Sequence, residues 1–419
     1  MKALIIGGGI GGLATALSLN AVGIECGVCE SVRDIDALGL GINLQPNAVR
    51  ELIELGLGEQ LAATAIETST LAYYNKHGQQ IWSEPRGRAA GYAWPQYSVH
   101  RGDLLMLLLD AVRARIGAAN VREGRHFTHF EQGAGGVTAH LVDRANGREL
   151  PPERADILIG ADGIHSTLRR QLYPDEAAPV ASGNIQWRGA IEADPYLDGR
   201  SHVMIGHYLQ RMVIYPMSAR PRAGGGSLIN WLALLGGRHD LVARESWDRK
   251  VPKDRFFAAF QGWNFPWIPA ADYVSGTADI YEYAEMDRDP LPRWSFGRVT
   301  LLGDAAHAMR PVGSQAGSQA IVDARVLAHA LASTADPVAA LRAYDAIRRP
   351  AMNDVILRNR AYGPEIVMQM AEERAPQGFD RIEDVIPRAE LEEIARSFKL
   401  AAGFDPETLN RQPSWGVRP

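Results

Sequence analysis

Three glycine-centred segments and a few charged residues are the parts of this 419-residue sequence equipped for chemistry. The first segment, Gly7-Gly8-Gly9-Ile10-Gly11-Gly12, carries G-x-G-x-x-G at Gly7, Gly9 and Gly12. In such a run the first glycine makes a tight turn and the second lets a pyrophosphate approach the backbone. The third lets the following helix pack close to its strand. The phosphate then meets free N–H groups and the positive end of the helix dipole. Glu30 closes the next apolar stretch, where a carboxylate accepts hydrogen bonds from ribose hydroxyls. The run also fits an empty glycine-rich turn, and it does not separate FAD from NAD.

The second segment is Asp162-Gly163-Ile164-His165-Ser166-Thr167-Leu168-Arg169, after the apolar run Ile157 to Ile159. The third is Gly303-Asp304-Ala305-Ala306-His307, after another apolar run and before Pro311 and a glycine-containing loop. A carboxylate at a strand end accepts from a ribitol or ribose hydroxyl, and a helix N-terminus beyond it holds a second polar part of a dinucleotide. Each also fits an ordinary strand-turn-helix. His100, His165 and His307 lie in these loops and read first as structural or cofactor-proximal. No nucleophile triad and no metal-ligand cluster stands out.

The elements needed to position these groups are legible in the periodicity. Ala3 to Ile6 reads as a buried strand, Leu13, Leu17 and Ala21 share a helix face that Gly23 ends, and Ile24 to Cys29 is a second strand. The opening is therefore a β-α-β unit. Asn47 to Leu57, Arg101 to Ile116 and Ser318 to Leu331 read as helices, and Val299 to Leu302 as a strand. Val137 to Leu158 alternates as strands about an Asn146-Gly147 turn. From Gly183 to Tyr283, Trp, Tyr and β-branched residues predict a mostly antiparallel sheet.

Composition sets the outer limits. Hydrophobic content of 46% and charged content of 22% allow a large core, and the length suits two or three domains. A net charge of -5 without a basic run gives no reason to expect nucleic acid or an anionic membrane. Ala3 to Ile24 is uncharged, yet its six glycines argue against a membrane span or signal peptide. Cys26 and Cys29 form C-x-x-C inside a strand, where residues three apart face opposite ways, so a redox pair is disfavoured. With no other cysteine, a soluble protein of the reducing cytoplasm is expected.

The three segments in this order resemble the group A flavoprotein monooxygenases, the family of 4-hydroxybenzoate and salicylate hydroxylases. The likeness runs over nearly the whole chain. It extends to Gly39-Leu40-Gly41-Ile42-Asn43-Leu44-Gln45-Pro46, Tyr97-Ser98-Val99-His100-Arg101-Gly102, Trp187-Arg188-Gly189 and Met286-Asp287-Arg288-Asp289-Pro290-Leu291-Pro292, which are similar to the phenazine branch. The resemblance implies an α/β fold: a Rossmann-like FAD-binding domain with an inserted, mostly antiparallel substrate sheet and a C-terminal helical segment. The implied FAD-binding domain is 1–72, 93–180 and 284–365, the substrate domain 73–92 and 181–283, and the helical tail 366–419.

The same resemblance implies FAD as cofactor and NADH or NADPH as co-substrate. An aromatic or heteroaromatic ring is hydroxylated with O2 through a flavin C4a-hydroperoxide, by a monomer or homodimer. Gly7, Gly9, Gly11, Gly12, Glu30 and Arg101 match positions at the ADP half and pyrophosphate. Asp162 matches the segment serving FAD and NAD(P)H, and Gly303 and Asp304 match the ribitol site. Gly41 and Pro311 match positions beside the flavin ring. The loop after the proline departs from the family's G-Q-G: Ser314-Gln315-Ala316 stands there, flanked by Gly313 and Gly317. Any position in it that needs positive φ would strain Ala316.

Trp187, Arg188, Tyr215 and Trp231 are the candidate substrate-lining residues, rings for stacking and a guanidinium for a carboxylate, although buried aromatics also serve a core. Three rivals are set against this reading. A plain NAD-dependent dehydrogenase leaves the two later segments unexplained and would be colourless. A flavin-dependent halogenase is echoed by Trp263-Asn264-Phe265-Pro266-Trp267-Ile268-Pro269, with the wrong spacing. A non-catalytic flavin sensor would bind FAD without turning over NAD(P)H.

Overall fold

A computed structural model describes residues 1–37, 39–220, 226–237 and 249–416. Parts of the expected substrate domain (221–225, 238–248) and of the tail (417–419) therefore lie outside the described residues.

The opening strand Lys2–Ile6 sits inside a six-stranded sheet, flanked in parallel by Glu25–Cys29 and Ile157–Gly160. Val299–Leu301 extends it on one side and Val121–Arg122 on the other, both in parallel. Strands buried on both faces read as unbroken apolar runs, which is why these were visible in the sequence. Helix Ile10–Ala21 ends where Gly23 takes φ +73°, with the Ile24 N–H reaching back to the Leu19 carbonyl. Only a residue free to adopt the left-handed region closes a helix so tightly.

A seven-stranded sheet forms the second layer: Tyr281–Asp287, Val180–Ala193, Ser227–Leu235, Gln210–Pro216, Ser201–His207, Thr70–Tyr74 and Gln80–Pro85, in that order. All pairs are antiparallel except Ser201–His207 with Thr70–Tyr74. One face buries Trp187, Trp231, Ile214, Phe256 and Phe260 in its own core. Against the other face, at Leu71, Tyr73 and Met204, the C-terminal helices Ile366–Arg374 and Arg388–Ala401 pack Met368, Ala371 and Leu391. The tail thus belongs to the body of the molecule.

A third sheet was only half legible. The Asn146-Gly147 turn does join antiparallel strands Gly136–Asp143 and Glu153–Ala155, but the outer strand Arg125–Gly133 went unread. Its Phe127 and Phe130 both point inward, three apart, so simple alternation fails there. Among the described residues, no helix is long and apolar enough to cross a membrane. Cys26 and Cys29 are both free and buried, and burial pushes each thiol up to about 11, far from redox reactivity.

Candidate functional site

The glycines of the first segment divide their work as steric reasoning requires. Gly7 takes φ +109°, and a Cβ there would meet the Ala161 carbonyl oxygen at 2.3 Å. A Cβ on Gly12 would lie 1.9 Å from the Gly7 oxygen, and one on Gly11 would press on Leu302 at 3.1 Å. A Cβ on Gly9, by contrast, would meet nothing within 4 Å. Three positions serve close packing of protein on protein, and one faces open space. That space lies at the start of a helix with no side-chain cap, where an anion is stabilised. Glu30 closes the loop from beyond, taking the Gly8 N–H at 2.6 Å and the Val32 N–H at 2.8 Å.

Arg101 begins helix Arg101–Ile116, and its N–H donates to the Leu40 carbonyl at 2.7 Å. The residue is exposed to solvent, yet the protein packed around its guanidinium presses its pKa down, and the Asp304 carboxylate opposes that. Arg188 adds a second, like charge to the same place, and Tyr283 lies within the same field. Arg101, Asp304 and Arg188, from three distant stretches, are therefore brought together. Helix Asp304–His307 follows Gly303, whose φ of +60° turns the chain out of its strand.

Asp162 is engaged by its own segment. Its carboxylate accepts from Ser166 Oγ at 2.5 Å and from the Thr167 and Leu168 N–H groups, so it caps helix Thr167–Leu172. Burial pushes its pKa up, and these hydrogen bonds oppose the rise. At the end of the same segment, Arg169 is wholly buried and donates to the Ala305 and Ala306 carbonyls, each at 3.1 Å. The second and third segments are thus tied directly to each other.

Gly41 joins this region to the seven-stranded sheet. Its N–H donates to Asn230 Oδ1 at 2.9 Å, and its carbonyl accepts from Arg188 Nη2 at 2.8 Å. A Cβ on Gly41 would lie 2.4 Å from the Tyr215 ring, so only glycine permits that approach. Arg188 and Tyr215 therefore face Gly41. Trp187 and Trp231 do not, which corrects the expectation that all four line a substrate site. Neighbours on a strand point to opposite faces. Trp187 stacks on Phe256 at 4.5 Å and donates to Glu282, while Trp231 donates to Thr277 Oγ1; both are fully buried in the far core.

Pro311 is exposed at the start of the departing loop. Positive φ falls on Gly313 (+65°) and Ser314 (+54°) but not on Ala316, so the strain expected at Ala316 sits at Ser314 instead. Gln315 is buried, and Ala316 opens helix Ala316–Ser333, which has no side-chain cap. The Gly313 N–H donates to Glu365 Oε1 at 3.1 Å, Glu365 pairs with buried Arg211, and Phe398 from the tail packs where a Gly313 Cβ would sit.

Several groups here escaped the sequence reading. Asn230, Glu365 and Phe398 act across long separations and carry no motif. Asp323, Arg348 and Gln319 form a buried network. Asp323 accepts from the Gly303 N–H at 3.1 Å, and Arg348 bridges it to Gln319. Gln319 donates to Gln315, so one polar chain links the Gly303 turn to the departing loop. Gln319 and Asp323 share a face of the helix expected over Ser318 to Leu331, whereas Arg348 lies on the next helix, Pro337–Arg360, and carries no motif.

The open space at Gly9, two uncapped helix starts, and the Arg101 and Asp304 pair fit a dinucleotide with a charged pyrophosphate and hydroxylated arms. Comparison with known proteins agrees. Residues 1–359 match the family model described as an FAD binding domain. The chain is 46% identical over 360 residues to phenazine 1,6-dicarboxylic acid hydroxylase from Lysobacter antibioticus, covering 85% of this chain and 88% of the relative. It is 34% identical over 400 residues to 3-amino-4-hydroxybenzoate 2-monooxygenase from Streptomyces platensis, covering 91% and 93%. Among solved structures, Klebsiella pneumoniae HpxO complexed with FAD and uric acid aligns with TM-score 0.74 at 25% identity, over 99% and 97% of the two chains. This chain belongs to the FAD-binding-domain family and is an FAD-dependent aromatic hydroxylase.

Proposed function

We propose that the enzyme uses NADH or NADPH and O2 to hydroxylate a carboxylated heteroaromatic ring, held beside Gly41 on the Arg188 face of the seven-stranded sheet. The observation that carries this reading is Arg188, whose guanidinium is held on the Gly41 carbonyl beside Tyr215 and so presents a fixed cation to that cleft. The relatives named above act on a phenazine dicarboxylic acid and an aminohydroxybenzoate, which supports an acidic aromatic substrate.

In this reading Gly9 and its helix start cradle the FAD pyrophosphate with Arg101. Glu30 receives the ribose and Asp304 the ribitol, while the Gly313 to Ala316 turn faces the pyrimidine ring. Gly41 and Pro311 border the ring system through their backbones. When bound, FAD supplies the redox chemistry that activates O2 and delivers one oxygen atom to the substrate. Arg188 orients the substrate carboxylate, and Tyr215 and Asn230 hold the Gly41 turn in place. The C-terminal helices, packed on the same face of the sheet, exclude water from the cleft.

The test is NADH and NADPH oxidation by the FAD-loaded enzyme across aromatic and heteroaromatic carboxylates, with peroxide and hydroxylated product counted separately. Stimulated oxidation with product matching the reductant consumed is expected. Stimulation only by uncharged rings would remove the carboxylate from the proposal.

A further inference from the structure

The sheet formed by Arg125–Gly133 and Gly136–Asp143 carries two imidazoles and a carboxylate that the hydroxylation chemistry does not use. His129 stands directly opposite His140, and Glu131 opposite Thr138. Alternate residues of a strand share a face, so His129 and Glu131 project together. His140 meets one across the ladder and the other diagonally, both within side-chain reach. The other face holds Phe127, Phe130, Val137, Ala139 and Leu141, all buried, which sends the polar trio outward.

The local geometry gives the trio donor character. The two imidazoles lie face to face, with centroids 4.1 Å apart and planes within 3°, so one ring must turn about its side-chain bonds to direct its in-plane lone pair at an ion shared with the other. One ligand atom from each of His129, Glu131 and His140 can be chosen so that all lie within 4.8 Å of one another. Thr128 Oγ1 sits 3.1 Å from His129 Nδ1, which engages that nitrogen and leaves Nε2 as a donor. Nε2 of His140 is shielded from water and has no hydrogen-bond partner. A lone pair left so is costly, and a cation is one way to satisfy it.

We propose that His129, Glu131 and His140 form a binding site for a borderline divalent transition-metal ion, with Zn2+ the best match. Two imidazole nitrogens and one carboxylate oxygen supply three tetrahedral positions, and water supplies the fourth. This donor set discriminates against Mg2+ and Ca2+, which demand oxygen ligands in larger number. Arg154, opposite Thr138 on the third strand, shares the face. The ion would clamp a strand pair that also carries part of the cofactor scaffold. Phe130 exchanges both main-chain hydrogen bonds with Gln171 of helix Thr167–Leu172, the helix that Asp162 caps.

The test is calorimetric titration of the FAD-loaded protein with ZnCl2, with MgCl2 as the hard-ion control. One Zn2+ per chain is expected, with no Mg2+ uptake, and a Zn2+-dependent rise in Tm that EDTA reverses. His129→Ala and His140→Ala should each weaken Zn2+ by about tenfold or more and abolish the Tm rise, without altering NAD(P)H oxidation. Glu131→Gln should weaken it less. Unchanged Zn2+ affinity in the His129→Ala, His140→Ala double variant would overturn the proposal, as would no uptake by the wild type at submillimolar Zn2+.

Discussion

Nε2 of His307 lies 2.5 Å from Oδ2 of Asp323, and both side chains are wholly buried. The other oxygen of the same carboxylate takes Arg348 Nε at 2.6 Å. Burial alone would raise the Asp323 pKa; His307 and Arg348 instead hold it at about 2. The ionised carboxylate can then anchor the Gly303 N–H, and with it the turn that leads into Asp304.

Asp323→Asn should therefore destabilise the protein by about 3–5 kcal/mol, because it strands the Arg348 charge in the interior. It should also weaken FAD through the Gly303 turn. Urea denaturation and FAD titration check both effects. A stable variant with normal FAD affinity would mean that the network does not position the turn.

Gly9 faces open space, whereas Gly12 packs against the Gly7 carbonyl. Gly9→Ala should fold with an unchanged apoprotein Tm but bind FAD at least about tenfold more weakly, a loss of about 1.4 kcal/mol. Gly12→Ala should lower the apoprotein Tm, since its Cβ would lie 1.9 Å from the Gly7 oxygen. Tight, yellow FAD binding by Gly9→Ala would show that the pyrophosphate does not pass that residue.

Strand alternation makes Arg188 and Trp187 behave oppositely. Arg188→Met should cut kcat/KM for carboxylated substrates by about 10-fold to 100-fold, a loss of roughly 1.4–2.7 kcal/mol. Trp187→Phe should leave KM unchanged and cost about 1–3 kcal/mol of stability, by leaving buried Glu282 short of a donor. Steady-state kinetics beside urea denaturation distinguish them, and a KM effect confined to Trp187→Phe would reverse the face assignment.

His202 is 2% exposed, its Nε2 is unpartnered, and burial, helped by the Arg86 charge, lowers its pKa from 6.5 to about 3. Between those values the unfolded chain binds the extra proton. The neutral ring therefore costs nothing above about pH 6.5, and stability falls as the pH drops toward 3. By pH 5 this amounts to about 2 kcal/mol. His202→Phe should remove that part of the acid loss, seen as a smaller difference between urea curves at pH 7.5 and 5; an equal difference would assign the loss elsewhere.

Ser314 holds φ +54° without the freedom of glycine. Ser314→Gly should raise stability by about 1 kcal/mol, read as a higher Tm. A lower Tm would show that chain entropy or a side-chain contact outweighs the relieved strain.

The sequence by itself determined the nucleotide-binding opening, because its demands are local. Gly7, Gly9, Gly12 and Glu30 answer constraints of turn, close approach and strand end within one β-α-β unit, and such constraints leave consecutive traces. The same holds for the Gly303 turn and for the helix that Arg101 begins. Only the tertiary structure decided which side each long-range partner faces. Trp187 and Arg188 are adjacent and both looked suited to an aromatic acid, yet one residue of register sends them to opposite faces. It also put Asn230 and Tyr215 on Gly41, set Phe398 against Gly313, and paired His129 with His140 across a strand whose bulge hid it from periodicity. Those contacts arise from how sheets pair and which face another layer covers, and neither is written in the spacing of neighbouring residues.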